Sequence, residues 1–361
     1  MSALFALVAL AGFVRVDEHG AQERPSSQEV LELGRPAQVE VATESAVEAG
    51  LRYLETLQTR AGDGSFAITD VVQSDYAPLG ISALCTLAFL ASGSAPGRGP
   101  HGGVVERALD YLLLHTDLAP ESTQFGYITA QGDALSRAHG HGYATLVLAE
   151  AYGMSPGSER IKAALMASVR HIERCQGAEG GWYYDAYASP MHEGSVTICL
   201  VQALRAARDA GIQVDPKLIA RAEDYVRRLQ APTGLFCYTL GDEKRTTVGL
   251  TAAAISTLNA TGRYDDVAIK NAVDAISARL ELREKPAEFP EYERFYLAQA
   301  FWQLSDPSPF ERWFEKERAL LLRTQESDGS WGNSRFGSAY ATAVNCLVLS
   351  LPDSTLPIFQ R

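Results

Sequence analysis

Four times along this 361-residue chain a glutamine closing an amphipathic run is followed by a glycine turn and an aromatic residue. Gln58 leads to Gly64 and Phe66, Gln176 to Gly180, Gly181 and Trp182, Gln230 to Gly234 and Phe236, and Gln325 to Gly329 and Trp331. Each residue type suits a structural joint. Glycine permits the φ > 0 turn, glutamine can satisfy free backbone groups at a helix end, and a buried aromatic fills the gap between units. Gln176 to Gln230 spans 54 residues and Gln58 to Gln176 spans 118, a repeat near 55 residues with room for two helices per unit.

The segments between joints alternate in character. Ala46–Gln58, Val105–His115, Ala163–Cys175, Leu218–Leu229, Val267–Leu280 and Phe314–Gln325 are amphipathic, with apolar residues at helical spacing and charges opposite. Their partners are nearly free of charge: Leu79–Ala91, Gly142–Tyr152, Ser195–Ala207, Val248–Ala260, Phe295–Leu304 and Tyr340–Leu351. A helix apolar all round is buried on most sides. The pattern predicts an all-α fold, an α6/α6 toroid of about twelve antiparallel helices in one domain over residues 44–353, with an open solenoid as the alternative. In the fifth pair, which lacks the full joint, Phe289 is the expected stand-in for the joint aromatic.

Ahead of the repeats, residues 1–20 hold an apolar run from Ala3 to Val14 of signal-peptide length, without a preceding Lys or Arg, and residues 21–43 read as a linker. The expectation is an exported chain, periplasmic or attached through its N-terminus, with a cytoplasmic location left open. Nothing else approaches the ~20 apolar residues of a membrane span, so no polytopic insertion is expected. The formal charge of −12, without a basic cluster, argues against nucleic acid. Five cysteines include no CxxC, and Cys85, Cys199 and Cys346 sit in apolar runs, as buried free thiols do. No metal or cofactor pattern is present in the sequence, so none is expected.

The joint from Gln176 to Trp182, its echo from Gln325 to Trp331 and the six-pair layout resemble the prenyltransferase and squalene-cyclase (terpenoid-cyclase) repeat superfamily over about Ala46 to Leu351. The resemblance implies an α/α toroid with a central cavity that, in the enzymes of that group, handles isoprenoid chains. Their chemistry does not carry over. No Asp-x-Asp-Asp acid cluster exists here, Asp265-Asp266 being the only Asp pair, and no cysteine has an Asp two residues before it as in the zinc-dependent prenyltransferases. The Cys-Gly-Glu-Gln string of the toroidal thioester domains is also missing.

A toroid gathers the loops entering its inner helices at one end, where free N–H groups and positive dipole ends suit an anionic group. Three of these loops hold unusual residues. His139 and His141, flanked by glycines before Tyr143, fit proton carriage, metal ligation, for which a lone His-x-His pair is a weak signal, or capping of the helix and packing against the next repeat. Asp185, near Tyr183, Tyr184 and Tyr187, fits a buried acid with a raised pKa, or a carboxylate hydrogen-bonded to a tyrosine. His192 and Glu193 fit an acid–base pair, or a cap on the helix that follows. Asp70, Asp75, Asp242, Glu243 and Glu291 read as loop charges, solvated unless a ligand engages them, while Lys244, Arg245 and Tyr292 are candidate ligand contacts.

Two functions follow as expectations. In the first, the toroid binds a hydrophobic ligand, an isoprenoid among the candidates, in its central cavity, contacting Tyr143, Tyr184, Glu193, Lys244, Arg245 and Tyr292, and any catalysis is acid–base work by Asp185, His139, His141 and His192. In the second, it is a non-catalytic module that binds a protein or peptide at its loop-rich end. A deep apolar pocket with one convergent acid distinguishes the first, and a plugged centre with an exposed apolar rim the second.

Overall fold

The structure is a computed structural model and describes residues 27–72, 76–133, 136–155, 157–259, 266–283, 287–332, 334–354 and 356–360, with side chains of the first helix described from residue 40. The chain divides into two compact units, Met1–Ser45 and Ala46–Arg361. Twelve α-helices occur among the described residues: α1 Ser27–Ala61, α2 Pro78–Ala91, α3 Gly102–Leu114, α4 Arg137–Met154, α5 Glu159–Cys175, α6 Gly194–Asp209, α7 Pro216–Arg228, α8 Val248–Asn259, α9 Val267–Glu281, α10 Pro290–Trp302, α11 Ser308–Thr324 and α12 Gly337–Ser350. None of the described helices is long and apolar enough to cross a membrane.

One boundary differs from the sequence reading. Backbone helix begins at Ser27, inside the segment read as a linker to residue 43. Gly34 and Pro36 suggested a break, but Gln28 to Leu33 is rich in good helix formers and propensity summed over a window outweighs isolated breakers.

In the larger unit the even-numbered helices form a closed inner ring. α2 packs on α4, α4 on α6, α6 on α8, α8 on α10, α10 on α12, and α12 back on α2. The fold is therefore the expected α/α toroid, and the open alternative is excluded. All residues of α2 and of α8 are buried, which is why those segments tolerate no charge. The outer helices bury one stripe; α7 turns Leu218, Ile219, Ala222, Tyr225 and Val226 inward and keeps its arginines outside.

The joints are held by one repeated hydrogen-bond pattern. The Nε2 of each joint glutamine donates to the carbonyl of its own glycine and to a carbonyl of the next outer helix. Gln58 reaches Gly64 at 3.1 Å and Val104 at 3.0 Å, Gln176 reaches Gly180 and Leu218 at 2.9 Å each, and Gln230 reaches Gly234 at 3.0 Å and Ala268 at 2.8 Å. Gln325 reaches Gly329 at 2.9 Å and Ala46 at 2.8 Å, and so ties the last repeat to the first. At Gly180, φ is +93° and an added Cβ would lie 2.4 Å from the Arg221 carbonyl oxygen, so a side chain is barred by both conformation and space. The aromatic two residues on donates its backbone N–H to a hydroxyl of the following inner helix: Trp182 to Thr197, Phe236 to Thr251 and Trp331 to Thr342, all at 3.0 Å, and Phe66 to Ser82 at 3.3 Å. Both joint tryptophans also donate their ring N–H to the carbonyl ten residues earlier, Trp182 to Ile172 at 2.9 Å and Trp331 to Leu321 at 3.0 Å.

The remaining two joints use other chemistry. Between α3 and α4, Gly126 makes the turn at φ +88° and Ile128 donates its N–H to His141 Nδ1 at 3.1 Å, so His141 takes the place of the joint threonine. Before α10, Arg283 binds Glu293 through both carboxylate oxygens. Phe289 is not the joint aromatic expected there. It stacks in parallel on Phe336, centroids 6.0 Å apart, because no glycine turn directs it inward.

The far end of the inner ring, formed by the helix C-termini, is covered by the C-terminal segment. Leu356 and Phe359 are buried, Ile358 donates its N–H to Glu150 Oε1 at 3.2 Å, and the Phe359 ring sits 6.4 Å edge-on from Phe295. All five cysteines are buried free thiols.

Gln230→Ala removes both donors of one joint and is expected to cost about 1–3 kcal/mol, and Trp331→Ala about 3–5 kcal/mol for the lost ring. Urea unfolding followed by circular dichroism reads both; an unchanged midpoint in either variant contradicts the role assigned to that residue.

Candidate functional site

The inner-helix N-termini form the open end of the toroid, and side chains meet beneath it across the ring. Tyr143 on α4 and Tyr296 on α10, opposite helices of the inner ring, bring their hydroxyls to 3.5 Å. Tyr296 also donates to Gln202 Oε1 on α6 at 3.3 Å, and Gln202 Nε2 donates to Gln299 Oε1 at 2.9 Å. A hydrogen-bonded floor therefore spans the centre at this level. All four residues are buried, and the interior of the ring here is filled with side chains.

Above that floor lies an aromatic recess. His139, Tyr184, Tyr238, Tyr292, Phe336 and Tyr340 are each half-buried. The Tyr184 and Tyr238 hydroxyls are hydrogen-bonded to each other, His139 lies 5.7 Å from the Tyr184 ring, and Tyr292 lies 4.7 Å from Tyr296. Burial pushes the hydroxyls of Tyr143, Tyr292 and Tyr296 well above the usual phenol range, so they act as neutral donors and acceptors. The rim is cationic. Arg137 stands over Tyr184 at 5.0 Å, Arg245 over Tyr238 at 4.1 Å, and Arg335 over Phe289 at 5.5 Å.

The four catalytic candidates do not converge. His139 reaches the recess, but burial and then the Arg137 charge lower its pKa to about 4, leaving it neutral near pH 7. His141 is in the α3–α4 joint beside Tyr127 and His171, with burial holding it well below the ordinary imidazole range. His192 faces outward, its Nδ1 2.9 Å from the Tyr225 hydroxyl of α7. Asp185 is not buried among tyrosines. Its carboxylate keeps a quarter of its surface in water and lies 3.5 Å from Arg137, because a neighbouring guanidinium and solvent are better partners for a charge than an aromatic pocket.

The enclosed acid is Glu193, which has no exposed surface. Its carboxylate caps α6, accepting from Ser195 N at 2.7 Å, Ser195 Oγ at 2.8 Å and the Val196 N–H. Burial pushes its pKa up to about 7 against the pull of those hydrogen bonds. The capping signal was legible in the sequence, and the capping alternative is the one realised. Glu193 therefore shapes the site's electrostatics from below. Of the expected ligand contacts, Tyr143 lies in the floor, Tyr184 and Tyr292 lie above it, Arg245 lies on the rim and Lys244 is exposed beside it. Sequence reasoning missed Arg137, Tyr238, Phe336 and Tyr340, which come from three different inner-helix entrances, Phe336 and Tyr340 sharing that of α12. Glu291 is buried next to Tyr292, Asp70 accepts the Ser338 N–H at 2.8 Å, and Asp75 lies outside the described residues.

Among the described residues no three His, Cys, Asp or Glu side chains are grouped so as to hold a metal ion. A groove of about 700 Å³ on the outside, bordered by Leu113, Leu114 and Arg160 between α3 and α5, is remote from these residues.

No protein-family model and no curated protein matches the sequence. Solved structures do. A single-residue variant of the type II terpene cyclase MstE from Scytonema, in complex with the substrate geranylgeranyl dihydroxybenzoate, is similar with a TM-score of 0.59 at 18% identity, covering 88% of this chain and 99% of its own. An α-1,6-mannanase from Salegentibacter matches with a TM-score of 0.62 at 10% identity over 85% and 98% of the two chains, and a D-mannose isomerase with 0.59 at 13% over 86% and 97%. These likenesses establish the α/α toroid and span unrelated chemistries.

Because Glu193 titrates near 7 when folded and near 4.5 when free, its contribution to stability is present at low pH and fades as pH rises from about 4.5 through 7, by at most about 3 kcal/mol. Glu193→Gln keeps an acceptor for the cap without the charge. Its stability relative to the unsubstituted protein should rise between pH 5 and pH 8 in denaturant titrations; a flat difference would place the Glu193 pKa near its ordinary value.

Proposed function

We propose that this protein is a ligand-binding α/α toroid whose aromatic recess holds the apolar part of a small molecule, an isoprenoid being the leading class. It acts by binding rather than by cyclising its ligand. The observation that carries this reading is the hydrogen-bonded floor of Tyr143, Tyr296, Gln202 and Gln299 across the ring centre. A chain that must fold on itself needs an open central chamber, and the floor confines a ligand to the space above it. Half-buried tyrosine and phenylalanine faces at a concave entrance are the surface on which apolar chains and rings stack. The terpene cyclase MstE, of the same fold, binds a geranylgeranyl compound, which adds weight to the isoprenoid class.

Acid–base turnover has little support in the placement of the candidate groups. His139 is neutral, His141 and His192 serve joints, Asp185 is paired with Arg137, and the Glu193 carboxylate is taken by the α6 cap. Two observations favour the protein- or peptide-binding reading: the ring centre is closed by the Tyr143, Tyr296, Gln202 and Gln299 floor, and Tyr187 and Met191 are 65% and 54% exposed in the loop that carries Tyr184.

Native mass spectrometry of the protein purified from its own host, followed by lipid extraction, tests the proposal. One retained apolar molecule per chain is expected, lost from a Tyr184→Ala/Tyr238→Ala variant that still melts cooperatively. Repeatedly empty protein that also fails to bind farnesol saturably would overturn it in favour of the partner-binding reading.

A further inference from the structure

We infer that the recess selects a ligand with an anionic end, its carboxylate or phosphate oxygens held by Arg137 and Arg245 at the rim. The inference rests on reading the recess as a ligand site, and names the chemistry that site recognises.

The two guanidinium groups flank one hydrogen-bonded pair of tyrosines. Arg137 covers Tyr184, Arg245 covers Tyr238, and the two hydroxyls join beneath them. Stacking uses the flat face of a guanidinium and leaves its N–H edges free for oxygens in its plane. Both arginines are exposed while both tyrosines are half-buried, so the cations sit at the water boundary with an apolar surface directly below. An apolar chain with a charged end fits that order.

The arginines, not a net charge, set the anion preference, because the same loops also carry acids. Asp242 and Glu243 adjoin Lys244 and Arg245, and Asp70 is held by the Ser338 N–H at 2.8 Å. Of the acids beside the two stacked arginines, Asp185 makes one long 3.5 Å contact with Arg137 and is replaceable by a ligand oxygen, and Glu193 is enclosed and occupied by its cap. The positive dipole ends of α4 and α8 lie at this entrance. Deeper in, the Tyr292 hydroxyl is buried without a hydrogen-bond partner, a donor available to a polar atom on the ligand. Arg137 also adopts φ +36°, the only described non-glycine residue with a positive φ, at a position where glycine would be relaxed.

Calorimetric titration with dodecanoate, dodecyl phosphate and dodecanol, which share one apolar chain, tests this directly. The two anions should bind about ten-fold or more tighter than the alcohol, as one added ion pair of ~1.4 kcal/mol gives. Added salt should narrow the gap. Arg137→Gln/Arg245→Gln should bring both anions down to the alcohol's affinity, whereas Arg318→Gln, on the outer helix α11, should leave the discrimination intact. Whichever anion binds tighter identifies the carboxylate or the phosphate as the natural end group. Equal affinities for all three probes, or an anion preference that survives the double variant, overturn the inference and leave the apolar-ligand reading standing. Binding of none of the three overturns that reading and the inference with it.

Discussion

The two N–H bonds of a glutamine side-chain amide set the geometry of this toroid. At four joints the amide spends one on the glycine turn of its own repeat and the other on the backbone of the next outer helix, which fixes the angle at which repeats follow each other. The fourth clamp, from Gln325 to Ala46, spans 279 residues of sequence and closes the circle. A single hydrogen bond cannot offset the entropy of such a closure. The free energy comes from inner helices that bury every face, and the clamp selects the register in which they do so.

Where the glutamine is missing, the requirement for a buried partner remains and other residues meet it. His141 accepts the N–H that a threonine accepts elsewhere, and Arg283 and Glu293 replace the joint with a bidentate ion pair. A residue type that suggests catalysis in isolation is thus assigned to architecture by its neighbours.

The same closure decides where function can reside. Side chains from opposite inner helices meet in the middle, and the C-terminal segment packs at the far end, so within the ring the entrance formed by the inner-helix N-termini is the end left uncovered among the described residues. Terpene cyclases, a mannanase and a sugar isomerase share this fold under different chemistries, and in this chain the entrance is lined by tyrosines under arginines, above an acid occupied in capping. Burial first, and the Glu193 carboxylate in addition, raises the cost of ionising Tyr184 and Tyr292, which keeps them as neutral hydrogen-bonding groups.

Alternation between charged and charge-free helical segments, together with the spacing of Gln, Gly and aromatic residues, was enough to determine an all-α closed array. Burial and backbone satisfaction are local demands that leave a local trace. Whether an inner helix can carry an aspartate is written in that helix. The site was legible only in part, because Arg137, Tyr184, Tyr238, Tyr292 and Tyr340 lie up to two hundred residues apart and meet only after the ring closes. The sequence by itself therefore determined the helices, their pairing and the joints, through periodicities that each segment carries alone. Which acid is enclosed, which histidine serves a joint and which arginines share the rim were decided by tertiary structure, since each depends on the groups that closure brings alongside.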